Sequence, residues 1–379
     1  MDYSLSEELE MIRTMVRDFA SEEVAPTAAL RDEEERFDRH LFEMMGELGL
    51  TGILVPELYG GLGSDALTNC LVLEELARAC ASTGYTLFVH SGLAGMAISM
   101  FGSEEQKKLF LGPMGNGQKL GAYAWSESTH TEGASGLILH TQALRDGDNY
   151  VLQGAKFFVT NAGDADVYVV FASTGNDAMS RESSAFIIEK GTPGFLLGKK
   201  ERKLGLRGSP SMSIELVDCR IPIANRLGEE GDGLRIALQT LESARSGIAA
   251  LAVGLAQAAL DVSVSYAKTR KQFGKPIAQQ QAIAFKLANM ATQIEAAKLL
   301  TYQAAWRESQ GAVGGAYSNL FAGDTAMAVT IEAVQIHGGY GYTKAFPVER
   351  YMRDAKMLQM IEATMDEERR AIARLMKMR

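Results

Sequence analysis

Residues 333–364 read AVQIHGGYGYTKAFPVERYMRDAKMLQMIEAT. The stretch opens with a helix end (Ala333, Val334, Ile336) and breaks at Gly338, Gly339 and Gly341. Paired glycines there release the chain from helical geometry and let another group approach bare backbone. After Pro347 a second helix is expected from about Val348, carrying Arg350, Arg353 and Lys356. It ends in an apolar run with one acid, Glu362, between Ile361 and Ala363. A carboxylate with apolar neighbours holds its proton more tightly, which suits a general base near neutral pH. The plain alternative is a helix-end acid facing water.

Two long helices precede this segment, over about 234–269 and 278–310, and a third runs over 316–337. The first is rich in Ala and Gly and nearly free of polar residues from Ile248 to Leu260. A helix apolar nearly all round belongs inside a bundle, so residues 226–379 read as a C-terminal four-helix bundle. Upstream the texture differs. Lys119–Tyr123, Tyr150–Thr160, Val167–Ala172, Ser184–Ile188 and Met212–Val217 are short β-branched and aromatic runs. Asp-Gly, Asn-Ala-Gly and Thr-Pro-Gly turns separate them, which predicts a middle antiparallel β domain over 116–225, a sandwich or barrel. Residues 1–115 show helical spacing, as in Leu9, Ile12, Met15, Val16 and Phe19. Ser103 caps a short helix there. Gly61-Leu62-Gly63 lacks a third glycine and a strand–turn–helix frame, so it reads as a turn. The fold class is therefore α+β: helical domain, β domain, helical bundle.

The formal charge of −9 argues against nucleic acid and against an anionic membrane surface as partners. Cys70, Cys80 and Cys219 are three, so they cannot all pair, and a reducing, cytoplasmic setting fits. Met1–Ala20 mixes acids with apolar residues and lacks the pattern of a signal peptide. No uninterrupted apolar run reaches the roughly 18 residues of a membrane span. The five histidines show no ligand spacing, so no metal is expected, and Gly-x-Ser-x-Gly is absent. Lys199, Lys200, Arg202 and Lys203 form a basic run that reads as a solvated turn.

The words AVQIHGGYGY, PVERYMRDAK and IEAT, in that order, resemble the C-terminal block of the acyl-CoA dehydrogenase family, and the resemblance extends over essentially the whole chain. The short-chain, butyryl-CoA type is the one it is most similar to. The resemblance implies FAD as cofactor and α,β-dehydrogenation of an acyl thioester. Glu362 would take the α proton while the β hydrogen leaves as hydride to flavin N5. The backbone N–H of Glu362 would then help to stabilise the enolate, as in an oxyanion hole. Some members carry the base on the first bundle helix instead; that position is Ala244 here, which cannot serve.

The resemblance also assigns the cofactor's contacts. Ser126 would reach the pyrimidine edge of the flavin, Phe158 would pack on the ring and Thr160 would bond near N5. Arg270, Gln272 and Phe273 would meet the pyrophosphate side of a neighbouring subunit's FAD. Gln335, Gly338 and Gly339 would meet its adenine side. Thr364 and Asp366 follow the base as phosphate and ribose contacts do. Glu242 and Arg245 resemble a pair near the substrate's pantetheine and nucleotide end, or else form a plain helical ion pair. Shared cofactor sites imply an oligomer, a homotetramer in most of the family, and the partner that takes the electrons is an electron-transferring flavoprotein.

The chain departs from the family pattern twice. Trp125-Ser126-Glu127-Ser128-Thr129-His130-Thr131-Glu132-Gly133 stands where Leu-Thr-Glu-Pro-x-x-Gly-Ser-Asp is usual, and Ile361 and Ala363 replace a tyrosine and a glycine around the base. These leave open a thioester on a carrier protein as substrate, or a thioester-binding paralogue with little turnover.

Overall fold

The computed structural model describes residues 5–127, 139–175, 182–312, 314–361 and 365–377. Helix α1 (Glu7–Phe19) starts on Ser6, whose hydroxyl accepts from the Leu9 amide. Helices α2 (Ala28–Glu34), α3 (Arg39–Glu47) and α4 (Ala66–Ala79) follow. Helical spacing continues through α5 (Ala81–Leu87), a π-helical stretch Phe88–Gly95 and α6 (Met96–Phe101). Helix α7 (Glu104–Gly115) opens with a capping box between Ser103 and Gln106.

The middle of the chain is one sheet. Its strands are β1 (Gly121–Ala124), β2 (Gln142–Asp146), β3 (Asn149–Thr160), β4 (Val167–Ser173), β5 (Ser183–Glu189), β6 (Phe195–Lys200), β7 (Ser211–Pro222) and β8 (Arg226–Leu227). They lie in the order β6-β7-β3-β2-β4-β5-β8, with β1 beside β4. Most pairs are antiparallel, as expected, but β1 runs parallel to β4, and β2 touches β4 in parallel at Gln142–Ser173. Strand β1 arrives from the helices rather than from a hairpin, so no tight turn dictates its direction. Strands β2 and β6 escaped the sequence reading because both are largely exposed and poor in β-branched residues.

Helices then return as α8 (Gly233–Thr269), a short hairpin of β9 (Lys271–Gln272) and β10 (Lys275–Pro276), α9 (Gln281–Ser309), α10 (Gly315–His337), α11 (Val348–Leu358) and α12 (Met365–Leu375). Helix α8 is by length and composition apolar enough to cross a membrane, although its apolar run is interrupted. Yet 78% of its apolar 18-residue stretch is buried inside the protein, and α4, α9, α10 and α11 pack on the helix. A Cβ on Gly254 of α8 would lie 2.1 Å from the Glu74 carbonyl oxygen of α4, so glycine permits this close crossing. Buried apolar side chains from Val16 to Ile361 form one contiguous core linking the N-terminal helices, the sheet and the bundle. Cys70, Cys80 and Cys219 are buried and free.

Candidate active site

The site grows from an irregularity in β3. Its register with β7 slips between Lys156 and Val159, and Phe158 adopts φ +54° with 65% of its surface exposed. A bulge re-aims a side chain in this way, turning an aromatic ring outward from a strand that otherwise faces the core. Two contacts fix the bulge. The Phe157 amide donates to the Ser126 carbonyl at 2.9 Å. Lys156, wholly buried, bonds the Glu127 carboxylate at 2.6 Å and the Trp125 carbonyl at 3.2 Å. Burial pushes the Lys156 ammonium down to about 8 even though Glu127 opposes the shift. The Glu127 carboxylate also accepts from the amides of His140 and Thr141, at 2.6 and 3.0 Å.

Phe158 and Thr160 line a cavity of about 620 Å³ together with Tyr85, Tyr123, Trp125 and Ser126. The lining also includes residues of α11 and its end, Met357, Met360 and the buried Ile361. A third side is the stretch 201–205. The basic run there is only in part the solvated turn expected from the sequence: Lys199 and Arg202 are exposed, but Lys199 and Lys200 end β6. Lys203 is largely buried, because its loop folds back under the end of β7 and its ammonium donates to the Ser209 carbonyl and Ser211 hydroxyl. Arg353 ties the wall to the N-terminal helices. Its guanidinium grips Asp32 at 2.6 and 3.0 Å, Glu349 at 2.7 Å and the Leu204 carbonyl at 3.0 Å. Glu362, Ala363 and Thr364 lie outside the described residues, as does the altered segment 128–138.

Apolar aromatic walls with a few convergent hydroxyls suit a planar heteroaromatic ring with a polar edge. The flavin of FAD is such a group, so these residues fit it, and Ser126, Phe158 and Thr160 would hold it.

A second cavity, also about 620 Å³, is lined by Tyr266, Arg270, Gln272, Phe273, His337, Gly338, Gly339 and Tyr340. Phe273, at φ +52° beside Gly274, projects from the β9–β10 hairpin with 93% of its surface exposed. Among the described residues the Arg270 side chain has no hydrogen-bond or ion-pair partner. Gly338 has φ +59°, which ends α10 and turns the chain over this cavity. Gln335 is exposed on α10. The structure thus separates the two groups of residues assigned to the cofactor into two cavities of one chain.

Glu242 and Arg245 join neither cavity wall. They form the ion pair allowed for by their spacing, and Arg245 also bonds Glu368 of α12 at 3.1 Å. Glu368 is fully buried and accepts from the Asn319 amide at 3.0 Å. Nearby, Glu308 accepts from Ser246 at 2.6 Å, and burial pushes its carboxyl up to about 7. Asp366 is exposed and pairs with Arg369. Ala244 is buried in α8. Tyr85, Tyr123, Lys203, Tyr266 and His337 were missed as site residues. Only Lys203 carried a sequence signal, its basic neighbours.

Helices, a β domain and a helical bundle around an aromatic-walled cavity define the class: a flavin-dependent oxidoreductase. Family models for the N-terminal, middle and C-terminal domains of acyl-CoA dehydrogenase match residues 6–118, 122–219 and 231–377. The chain is 46% identical over 373 residues to an acyl-CoA dehydrogenase of Bacillus subtilis, covering 98% of each. It is 43% identical over 376 residues to a short-chain specific acyl-CoA dehydrogenase of Clostridium acetobutylicum, covering 98% of this chain and 99% of that one. Its fold matches the solved butyryl-CoA dehydrogenase of Megasphaera elsdenii with a TM-score of 0.96, at 42% identity over the full length of both chains. The chain belongs to the acyl-CoA dehydrogenase family, and its reaction is the α,β-dehydrogenation of an acyl thioester.

Proposed function

We propose that this dehydrogenase acts on short-chain acyl-CoA, with FAD in the Phe158 cavity and Glu362 as general base. One observation carries the reading. Met357, Met360 and Ile361 line the same cavity as Phe158 and Thr160, and Ile361 immediately precedes Glu362 in the chain. A base at the next position in sequence would serve a thioester held in that cavity. When bound, FAD supplies at N5 the acceptor for the hydride that leaves the β carbon. Phe158 packs against the ring, while the Thr160 and Ser126 hydroxyls meet its polar edge. The Met357, Met360 and Ile361 side chains exclude water, which strengthens every charge interaction inside the cavity. Glu362 removes the α proton and its amide N–H donates to the thioester carbonyl, where negative charge develops. Ile361 and Ala363 border the acyl group, and the short-chain specificity of the relatives supports a small one. Glu242, the more exposed member of its ion pair, is kept as the contact for the thioester's pantetheine end, with Arg245 holding it.

The second cavity serves a neighbouring subunit. Arg270, with no described side-chain partner, is suited to a pyrophosphate. Gln272, Phe273, Gln335, Gly338 and Gly339 complete that contact from outside, while Thr364 and Asp366 meet FAD within the chain. Exposed Phe285 and Trp306 on α9, and Tyr317 and Phe321 on α10, support burial against further copies, a homotetramer. An electron-transferring flavoprotein is the partner that reoxidises the cofactor, and the free cysteines support a cytoplasmic setting.

The test begins with the absorbance of the purified protein, where bound flavin gives two bands in the near-UV and blue. Anaerobic butyryl-CoA is expected to bleach the blue band in wild type. Glu362→Gln binds flavin and thioester but bleaches about 10²–10⁴-fold more slowly. A variant that keeps more than a tenth of the wild-type rate places the base elsewhere. Bleaching only by a carrier-protein thioester overturns the choice of substrate.

A further inference from the structure

Lys203 is the cation whose surroundings the reaction leaves unexplained. It stands in the wall of the Phe158 cavity, largely buried, and no described carboxylate lies within ion-pair distance of its ammonium. Its hydrogen bonds go to the Ser209 carbonyl at 2.5 Å and the Ser211 hydroxyl at 3.2 Å. Ser211 pairs with Thr160 on the last rung between β7 and β3, and their hydroxyl oxygens are 3.4 Å apart. Thr160 in turn donates to the Tyr85 hydroxyl at 3.4 Å. Ser211 and Thr160 are both buried.

A lysine ammonium can only donate. Ser211 takes that donation on one lone pair, and because the Thr160 proton is directed to Tyr85, the contact between the two hydroxyls runs from Ser211 to Thr160. The chain of hydroxyls therefore has a fixed direction, from Lys203 towards the cavity. An O–H···O contact of 3.4 Å is longer than the usual 2.5–3.0 Å, so Thr160 exchanges Tyr85 at little cost for a closer acceptor in the cavity. Burial without a carboxylate partner is costly for an ammonium unless negative charge appears nearby. The charges around Lys203 are Asp354 of α11 and Glu35 after α2, which favour its proton, and Lys200 of β6, which opposes it. Burial outweighs them and pushes Lys203 down to about 8, so it is mostly charged at neutral pH.

We propose that Lys203 is a positioning residue for the flavin. Through Ser211 it fixes the Thr160 hydroxyl as a donor into the cavity, and its charge favours the electron-rich, two-electron-reduced cofactor. The inference rests on FAD occupying this cavity, as proposed above. A purely structural role, pinning the loop through the Ser209 carbonyl, leaves the redox balance of the flavin unchanged.

The experiment is a spectroelectrochemical titration of bound FAD at pH 7 in holoenzyme of wild type, Lys203→Met, Lys203→Arg and Ser211→Ala. The Met and Ala variants are each expected to shift the equilibrium at least tenfold towards oxidised flavin, a midpoint about 30 mV lower for a two-electron couple. The Arg variant, still charged and still a donor, is expected to stay nearer wild type than the Met variant. Equilibria of both Lys203→Met and Ser211→Ala within threefold of wild type, midpoints within about 14 mV, overturn the proposal and leave Lys203 as a loop pin. A shift in Lys203→Met alone also overturns it, because the charge would then act without the hydroxyl chain. If Lys203→Met does not fold, Ser211→Ala, which spares the bond to Ser209, decides the matter. Wild type that takes up no FAD shows up before any variant is titrated, and it overturns the functional reading together with this inference.

Discussion

Glu368→Ala tests how helix α12, which follows the proposed base in sequence, is held. In sequence the proposed base follows Ile361, 2% exposed, and precedes Glu368, whose buried carboxylate joins α12 to Arg245 of α8 and Asn319 of α10. Removing the carboxylate leaves Arg245, only 16% exposed at its side chain, with Glu242 alone. It also leaves the Asn319 amide without its acceptor. Breaking a buried pair at one partner costs about 3–5 kcal/mol. The surviving Glu242 contact puts this case near the lower end, about 3 kcal/mol, and the orphaned amide adds about 1 kcal/mol. The total of about 4 kcal/mol is a large share of the stability of a typical folded chain. Urea unfolding of wild type, Glu368→Ala and Glu368→Gln measures it. The Gln variant keeps an acceptor oxygen without the charge and is expected to lose about half as much. Substrate-driven flavin reduction is expected to slow in Glu368→Ala, because the anchor beyond the base is gone, and to recover partly in Glu368→Gln. Stability within 1 kcal/mol of wild type, together with an unchanged reduction rate, refutes the view that this carboxylate holds the segment.

Arg270→Ala is expected to lower flavin occupancy and weaken the oligomer together, since a charge-assisted contact to a neighbour's phosphate is worth roughly 1.5–3 kcal/mol. Sedimentation and flavin content that both stay unchanged would remove that role. Glu308 predicts a pH signature. Burial raises its folded-state pKa to about 7 from an ordinary 4.5, so the folded protein holds a proton that the unfolded chain releases. Its contribution to stability is therefore full below about pH 4.5 and is lost as pH rises through about 7, a change of about 3 kcal/mol. Glu308→Gln lacks this loss, so its stability relative to wild type is expected to improve from pH 5 to pH 8 in matched urea titrations. A difference that does not change with pH contradicts a protonated Glu308. Arg353→Met removes the clamp between Asp32, Glu349 and the Leu204 carbonyl. A double-mutant cycle with Asp32→Asn is expected to show a coupling of about 2 kcal/mol or more, within the range for contacting residues in one ion-pair network, and less than 0.5 kcal/mol refutes it.

The sequence by itself determined the order of parts, because hydrophobic periodicity is a local property. Spacing of 3.6 marked α1, α8, α9, α10 and α11, and alternation with turn residues marked β3, β4, β5 and β7. It also supplied the words on which the proposed roles of Glu362, Phe158, Thr160 and Arg270 rest. Tertiary structure decided what no local pattern encodes. The direction of β1 depends on where the helices deliver the chain, and α8 became a core helix because four others cover it. Arg245, besides pairing with Glu242, turned to Glu368, more than 120 residues away in sequence, because a buried guanidinium takes the carboxylates that packing brings to it. Lys203 passed for a solvated residue because its three basic neighbours resemble a surface turn. Its burial follows from the loop folding beneath β7, where Ser209 and Ser211 offer the oxygens an ammonium needs. Charge runs report composition, and only packing settles which of their members lose water.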